Sequence, residues 1–211
     1  MAVNAGEETI LNSAWRHMRD RRNSDRKPDN QIIVIFGGRG DLSMRKIVPA
    51  LYTLWSQGLM PDRFAVLGTG RSAISDEAYR EEVSKAISSG ARQKSVDLTG
   101  EFIRSFYYTA LDPADSGDYK PLTVVLDRLR DELGIPGNTL FYLSVPPGLY
   151  DDIPHNLALC GLNSESDGWK RMIIEKPFGH DYQSAVNLNK LLLEHWGEGQ
   201  IYRIDHYLGK E

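Results

Sequence analysis

Five apolar residues in succession, Ile32-Ile33-Val34-Ile35-Phe36, run straight into Gly37-Gly38-Arg39-Gly40. No other stretch constrains the fold as strongly. A β-branched run without polar alternation suits a strand buried on both faces, as in a parallel sheet covered by helices. Where a helix follows a glycine cluster, its first-turn amides are unpaired and face the turn, and its dipole favours negative charge there. A helix does follow: from Asp41 to Trp55, Leu42, Ile47, Leu51 and Leu54 share one side, and Gly58 and Pro61 close it.

The alternation then repeats. Phe64 to Leu67 reads as a second strand, closed by Gly68-Thr69-Gly70-Arg71-Ser72. Asp76 to Ser88 reads as a helix capped by Ser75. The stretch 90–102 has no clear pattern. Phe106 to Ala110 is a third strand, and Tyr119 to Leu133 a helix carrying Leu122, Val125, Leu126 and Leu129. Thr139 to Val145 is a fourth strand, halted by Pro146-Pro147. Leu149 to Leu159 is a helix that Pro154 makes short or kinked. Met172 to Ile174 is a fifth strand, Asp181 to His195 a helix, and Gln200 to Ile204 a sixth strand. This order predicts an α/β fold, a doubly wound and mostly parallel six-stranded Rossmann-like sheet spanning 31–211. The right-handed crossover rule puts ligand groups at the C-terminal ends of its strands. Residues 1–30 read as a helical appendage and linker, with Ile10, Leu11, Ala14, Trp15 and Met18 at helical spacing and Pro28 in a polar tail.

Charge and cysteine usage exclude several classes. A net charge of −4 and a pI near 5.8 argue against a nucleic-acid or anionic-membrane surface. A single cysteine, Cys160, excludes an internal disulfide and a cysteine-built zinc site, and fits a cytoplasmic setting. No metal site is expected. No run approaches the ~18 apolar residues that span a bilayer, and the N-terminus has no signal-peptide core.

The chemistry-bearing segments fall just after strands. Gly37 suits a tight turn, Gly40 the approach of a pyrophosphate, and Ser43 close helix–strand packing. The spacing, Gly-x-x-Gly-x-x-Ser, departs from G-x-G-x-x-G, but the strand–loop–helix context is that of a dinucleotide site. After the second strand there is no acid for a ribose hydroxyl between Gly68 and Ser72; Arg71 offers a planar fork to a phosphate. Ser144 and Pro146 border the nicotinamide end. Lys176, beside Pro177, is placed to reach a sugar hydroxyl, and the bond before Pro177 is a candidate cis bond or hinge. The last stretch gathers Asp205, His206, Tyr207 and Lys210. Asp205 is suited to orient a histidine, and the other three to surround a phosphate.

Together, Gly37-x-x-Gly40-Asp41-Leu42, Glu175-Lys176-Pro177-Phe178-Gly179 and Arg203 through Glu211 closely resemble glucose-6-phosphate dehydrogenases. Gly70-Arg71-Ser72 and Leu140 through Pro147 are similar to that family as well. The resemblance implies oxidation of glucose 6-phosphate at C1, with hydride passing to NADP. It assigns the coenzyme to Gly37, Gly38, Arg39, Gly40, Asp41, Leu42, Arg71, Ser144, Pro146, Tyr150 and Lys176. It assigns glucose 6-phosphate to Lys176, His206, Tyr207 and Lys210, and catalytic roles to Lys176 and Asp205. It also implies a second α+β domain, absent here, that supplies the general-base histidine and most of a homodimer or homotetramer surface. Arg39 stands where the family usually has Ser or Thr, so that it either strengthens anion binding or crowds the loop. Two other readings compete: a glucose–fructose oxidoreductase or inositol dehydrogenase type of enzyme, which also uses Glu-Lys-Pro, and a non-catalytic NADP-binding module.

Overall fold

The computed structural model describes residues 27–90 and 96–204. The amphipathic segment read at 10–18, and Asp205, His206, Tyr207 and Lys210, lie outside the described residues.

Six strands form one sheet: β1 (Gln31–Phe36), β2 (Phe64–Gly70), β3 (Phe106–Ala110), β4 (Thr139–Leu143), β5 (Lys170–Glu175) and β6 (Ile201–Ile204). Their order is β3-β2-β1-β4-β5-β6, and every neighbouring pair is parallel. Among the described residues six α-helices connect or flank them: α1 (Val48–Ser56), α2 (Asp76–Gly90), α3 (Val96–Arg104), α4 (Tyr119–Leu133), α5 (Asp152–Leu159) and α6 (Tyr182–His195). This is the doubly wound α/β arrangement expected from the sequence. Among the described residues no helix is long and apolar enough to cross a membrane.

The apolar run that opens the sheet is buried throughout. Ile32, Val34 and Phe36 pack with Leu122, Leu126 and Leu157 on one face, and Ile33 and Ile35 with Val48, Tyr79 and Val83 on the other. A strand shared by two cores must be apolar at successive positions, which is why β1 shows no alternation. Each such side chain contributes about 1.5–3 kcal/mol by leaving water. β4 and β5 alternate instead. Phe141, Met172 and Ile174 are buried beneath the helices, whereas Leu140, Tyr142 and Ile173 are only half-buried on the opposite face.

The structure corrects several boundaries. The glycines read as closing the second strand lie within it, Gly68, Thr69 and Gly70 pairing with Tyr108, Thr109 and Ala110. The fourth strand stops at Leu143, short of Val145. The unassigned stretch holds the start and most of α3, whose Phe102 is buried among Tyr52, Trp55, Phe64 and Phe106. The helix after the glycine loop contains a π-helical turn, Ser43–Ile47, before α1, and the Val48 amide donates to Ser43 O. Pro49 follows; it has no N–H, and its ring would collide with the carbonyl of Arg45 in an ordinary helix, so a widened turn relieves the clash. The helix with Pro154 is short rather than kinked. Pro154 sits in the first turn of α5, where a missing N–H costs little.

The N-terminal edge of the sheet is held by a polar cluster. Lys170, 2% exposed, donates to Gly137 O at 2.7 Å and to the Asp167 carboxylate at 2.6 Å. Arg130 lies 3.6 Å from the same carboxylate. Burial alone would push the Asp167 carboxyl up, but the Lys170 hydrogen bond and the charges of Lys170 and Arg130 hold it below its ordinary 3.8.

Two outcomes follow. A Cβ on Gly68 would lie 2.4 Å from Tyr79 Oη and 2.5 Å from Cζ, and the Tyr79 ring is fully buried. Gly68→Ala should therefore cost about 1–3 kcal/mol, seen as a lower urea midpoint with unchanged slope. Asp167→Asn should cost about 1–2 kcal/mol at pH 7, allowing for the half-exposed carboxylate. Because the folded carboxylate titrates below its ordinary value, the wild-type advantage is present above about pH 4 and fades as pH falls through the folded value. Urea titrations across pH 3–7 would show the two curves converging at the acid end.

Candidate functional site

The site is built where the strand order reverses, between β1 and β4. Gly37 leaves β1 at φ +77°, a left-handed conformation that glycine adopts readily. A Cβ there would lie 2.2 Å from Ser144 O, at the end of β4. Gly40 closes the turn by donating to Gly37 O at 2.8 Å. Gly38 fastens the loop to β2: its amide donates to Thr69 O at 2.9 Å, and Tyr79 Oη donates to its carbonyl at 3.2 Å. A Cβ on Gly38 would sit 2.6 Å from Gly68 Cα. The loop thus requires glycine for two separate close approaches, one to each neighbouring strand.

On residues next to this turn or bonded to it through the backbone, Ser43 Oγ, Thr69 Oγ1 and Ser144 Oγ have no hydrogen-bond partner among the described residues, and neither does the nearby Tyr108 Oη. Ser43 and Thr69 are fully buried. Buried hydroxyls ordinarily find a partner. Around a helix-opening glycine turn, such donors suit a group rich in acceptor oxygens. The residues present therefore fit a dinucleotide diphosphate.

Each expected coenzyme residue has a definite position. Asp41 is exposed and ion-paired with Arg45 at 3.3 Å. Leu42, 38% exposed, lines an open groove of about 700 Å³ with Ile33, Ile47, Leu51, Leu140 and Tyr142. Lys46, Glu175 and Lys176 supply its polar edge. Arg71 is exposed at the end of β2, with no ion pair or hydrogen bond among the described residues. The Arg39 guanidinium lies against α2, donating to Glu82 at 2.8 and 2.6 Å. It therefore does not crowd the loop. The Glu82 hydrogen bond, opposed by burial, holds the guanidinium above its ordinary value.

Beyond β4 and β5 the chain turns twice on proline. The Lys176-Pro177 peptide is cis, as the sequence allowed. Pro177 and Pro147 line a second hollow of about 560 Å³ with Gly148, Gly179 and His180. Pro146 is exposed at the end of β4. Tyr150 is 2% exposed and is mostly a core residue that also edges this hollow. Burial and the Glu175 charge push its phenol up to about 12. Tyr142 donates to Glu175, and burial together with that bond raises its phenol further, so it stays a protonated donor beside Lys176.

The structure thus brings the glycine turn, Ser144 and the end of β2 together, and joins Leu42 to Lys176 along one groove. It leaves Asp41 in solvent and Tyr150 in the core. Sequence reading missed Gly68, Thr69, Tyr142, Glu82 and Tyr108. Gly68-Thr69-Gly70 carried a signal, since glycines inside a strand mark close backbone approach. Glu82 carried none, being one acid of a solvated helix until folding sets it against Arg39.

The comparisons agree with this geometry. Residues 34–211 match the family model described as glucose-6-phosphate dehydrogenase, NAD binding domain. A glucose-6-phosphate 1-dehydrogenase of Aggregatibacter actinomycetemcomitans is 45% identical over 187 residues, covering 88% of this chain and 37% of the relative. The Treponema pallidum enzyme of the same name is 43% identical over 183 residues, covering 85% and 35%. The chain therefore spans little more than a third of the length of these curated relatives. Among solved structures, a glucose-6-phosphate dehydrogenase in complex with its substrate glucose-6-phosphate superposes with a TM-score of 0.78 at 34% identity, covering 88% of this chain and 38% of that one. The Mycobacterium avium glucose-6-phosphate 1-dehydrogenase gives 0.73 at 30% identity, covering 87% and 37%. A glycine turn gripped between strands at the sheet's reversal, a Glu-Lys-Pro edge on the same groove and a family match over most of the chain lead to one conclusion: this chain belongs to the glucose-6-phosphate dehydrogenase family, as its nicotinamide-coenzyme-binding domain.

Proposed function

We propose that this domain binds NADP and serves, within a longer cytoplasmic protein, the oxidation of glucose 6-phosphate at C1 to the 6-phosphoglucono-1,5-lactone. The observation that carries the reading is the continuity of one groove from Leu42, at the glycine turn, to Lys176. The glycine turn would hold the diphosphate on backbone amides, with Ser43, Thr69 and Ser144 as the hydroxyls at hand. Arg71, exposed at the end of β2 beside Gly70, would take the 2′-phosphate. When bound, the coenzyme supplies a nicotinamide ring that accepts hydride from the sugar.

Lys176 would donate to a sugar oxygen at the groove's edge, with Tyr142 held protonated close by on Glu175. Fixing the sugar against the ring is the task of these groups, and positioning of this kind carries a large share of a hydride-transfer rate. Loss of the C1 hydroxyl proton needs a base. Among the described residues no histidine lines the groove: His155 and His195 face each other at 3.2 Å on α5 and α6, and His180 edges the second hollow. The family resemblance implies that a histidine of the family's second domain supplies the base. Asp205, His206, Tyr207 and Lys210 would complete the substrate side, with Asp205 orienting that base. The family match favours this over a sugar oxidoreductase of the glucose–fructose or inositol type.

Calorimetric titration of the domain tests the coenzyme half. NADP should bind with Arg71→Ala weakening it about 10–100-fold while NAD changes little, the loss of one charge-assisted phosphate contact. Equal weakening of both coenzymes would overturn the assignment. For the sugar half, Lys176→Ala in the full-length protein should lower kcat/KM for glucose 6-phosphate by about 100-fold or more. Retention of wild-type kcat/KM, or equal turnover of glucose and glucose 6-phosphate by the wild type, would overturn it.

A further inference from the structure

Arg39 and Glu82 form a bidentate ion pair with about a third of each side chain exposed. Its position makes it more than a surface salt bridge. Arg39 sits between Gly38 and Gly40 of the loop, and Gly38 is fixed to Thr69 by a 2.9 Å hydrogen bond. The Tyr108 hydroxyl stands beside the guanidinium; burial, only partly opposed by Arg39, raises this phenol. That hydroxyl is also packed on Gly70, where a Cβ would lie 2.7 Å from it. Arg71 follows directly. The pair therefore lies at the end of β2, where a nucleotide's ribose is chosen with or without its phosphate. An acid is normally expected there from the loop after β2 when the 2′-hydroxyl is read; here none is present, and α2 brings one in through Arg39.

We propose that the Arg39–Glu82 pair sets coenzyme selectivity, Glu82 cancelling the charge of a second cation that would otherwise join Arg71 in holding the 2′-phosphate. This rests on the reading of the domain as a nicotinamide-dinucleotide site with Arg71 at the 2′-position. The pair is electrically balanced, so Arg71 alone supplies net attraction. A dianionic phosphate within several ångströms senses a unit change of charge, whereas a ribose hydroxyl scarcely does. The pair thus sets the ratio of NADP to NAD affinity rather than affinity for dinucleotides in general.

The test is a double-mutant cycle read with both coenzymes by titration calorimetry on the same protein. Glu82→Gln keeps the shape and frees the positive charge; it should tighten NADP about 3–10-fold and leave NAD within about twofold. Arg39→Ser leaves the carboxylate unbalanced and should weaken NADP about 3–10-fold, again with little effect on NAD. The double variant restores charge balance and should return the NADP-to-NAD ratio to within about twofold of wild type. Arg39→Lys, which keeps the charge, should hold the wild-type ratio even if stability falls. Equal changes for both coenzymes, no change with Glu82→Gln, or a double variant as weak for NADP as Arg39→Ser would each overturn the inference while leaving Arg71-dependent NADP binding intact. A wild-type protein that binds neither coenzyme would instead overturn the coenzyme reading, and this inference with it.

Discussion

The contact between the Gly37 backbone and the carbonyl oxygen of Ser144 decides where everything else in the site can be. It closes the gap between β1 and β4 at the point where the strand order turns back on itself. Side-chain atoms at that point would wedge the strand ends apart, and even one Cβ is excluded by more than an ångström of overlap. On the other side, Gly38 meets Gly68 with the same economy. The loop is therefore gripped between two strands, and the helix that leaves it has a fixed direction. Thr69 and Ser144, whose hydroxyls have no partner among the described residues, meet this grip through their backbones. An anion site made this way depends little on any single side chain. What must be preserved is the absence of side chains at two residues and the packing of Tyr79 behind a third.

The same packing explains why a groove exists. One face of the sheet is covered across β1, β4, β5 and β6 by α4, α5 and α6, whose leucines form a continuous core. On the other face, α1, α2 and α3 lie over β1, β2 and β3. The half of that face carried by Leu140, Tyr142 and Ile173 is left half-buried beside α1. An apolar floor next to a polar glycine turn offers two unlike surfaces in succession, as a molecule with a charged diphosphate and a flat ring requires. Lys176, Glu175 and Tyr142 stand at the far edge of that floor. The polarity gradient along the groove is thus a consequence of which strands the first three helices happen to reach.

Much of this was legible in the sequence because it follows from periodicity. The run Ile32 to Phe36 could belong only to a doubly covered strand, and its neighbours alternate with helices at regular intervals. Arg71 and Lys176 were legible as candidates for a different reason: each lies in the segment after a predicted strand, and sheet topology puts such segments at the ligand edge. What was hidden depends on contacts between distant positions. Nothing local distinguishes Glu82 from other acids of α2 until Arg39 reaches it, 43 residues away in sequence. The π-helical turn was hidden because periodicity arguments assume an unbroken period, and Pro49 disturbs it. Helix α3 was missed because Gly100 lies within it, and the residue that secures it, Phe102, gains its meaning from an aromatic cluster assembled from three other segments. Tyr150 is the converse case. The family resemblance assigned it to the coenzyme, whereas its ring, 2% exposed, lies mostly in the core beneath the prolyl turn.

The two ends of the strands also differ in how they handle charge. At the N-terminal edge, Lys170 is sealed from water and satisfied by two carbonyls and a carboxylate, so its charge is spent on holding chain segments together. At the C-terminal edge, Arg71 is solvated and Arg39 is matched to an acid that still touches water. A charge fully satisfied inside the fold has little left to offer a ligand; one held at the surface, by a partner that can be exchanged, keeps its field available outward. Glycines exclude side chains from the turn itself, so selectivity among anions has to come from residues that reach it from neighbouring elements. In this chain Glu82 from α2 and Tyr108 from β3 meet around Arg39, the one bulky residue the loop contains, and Tyr108 also packs on Gly70, directly before Arg71.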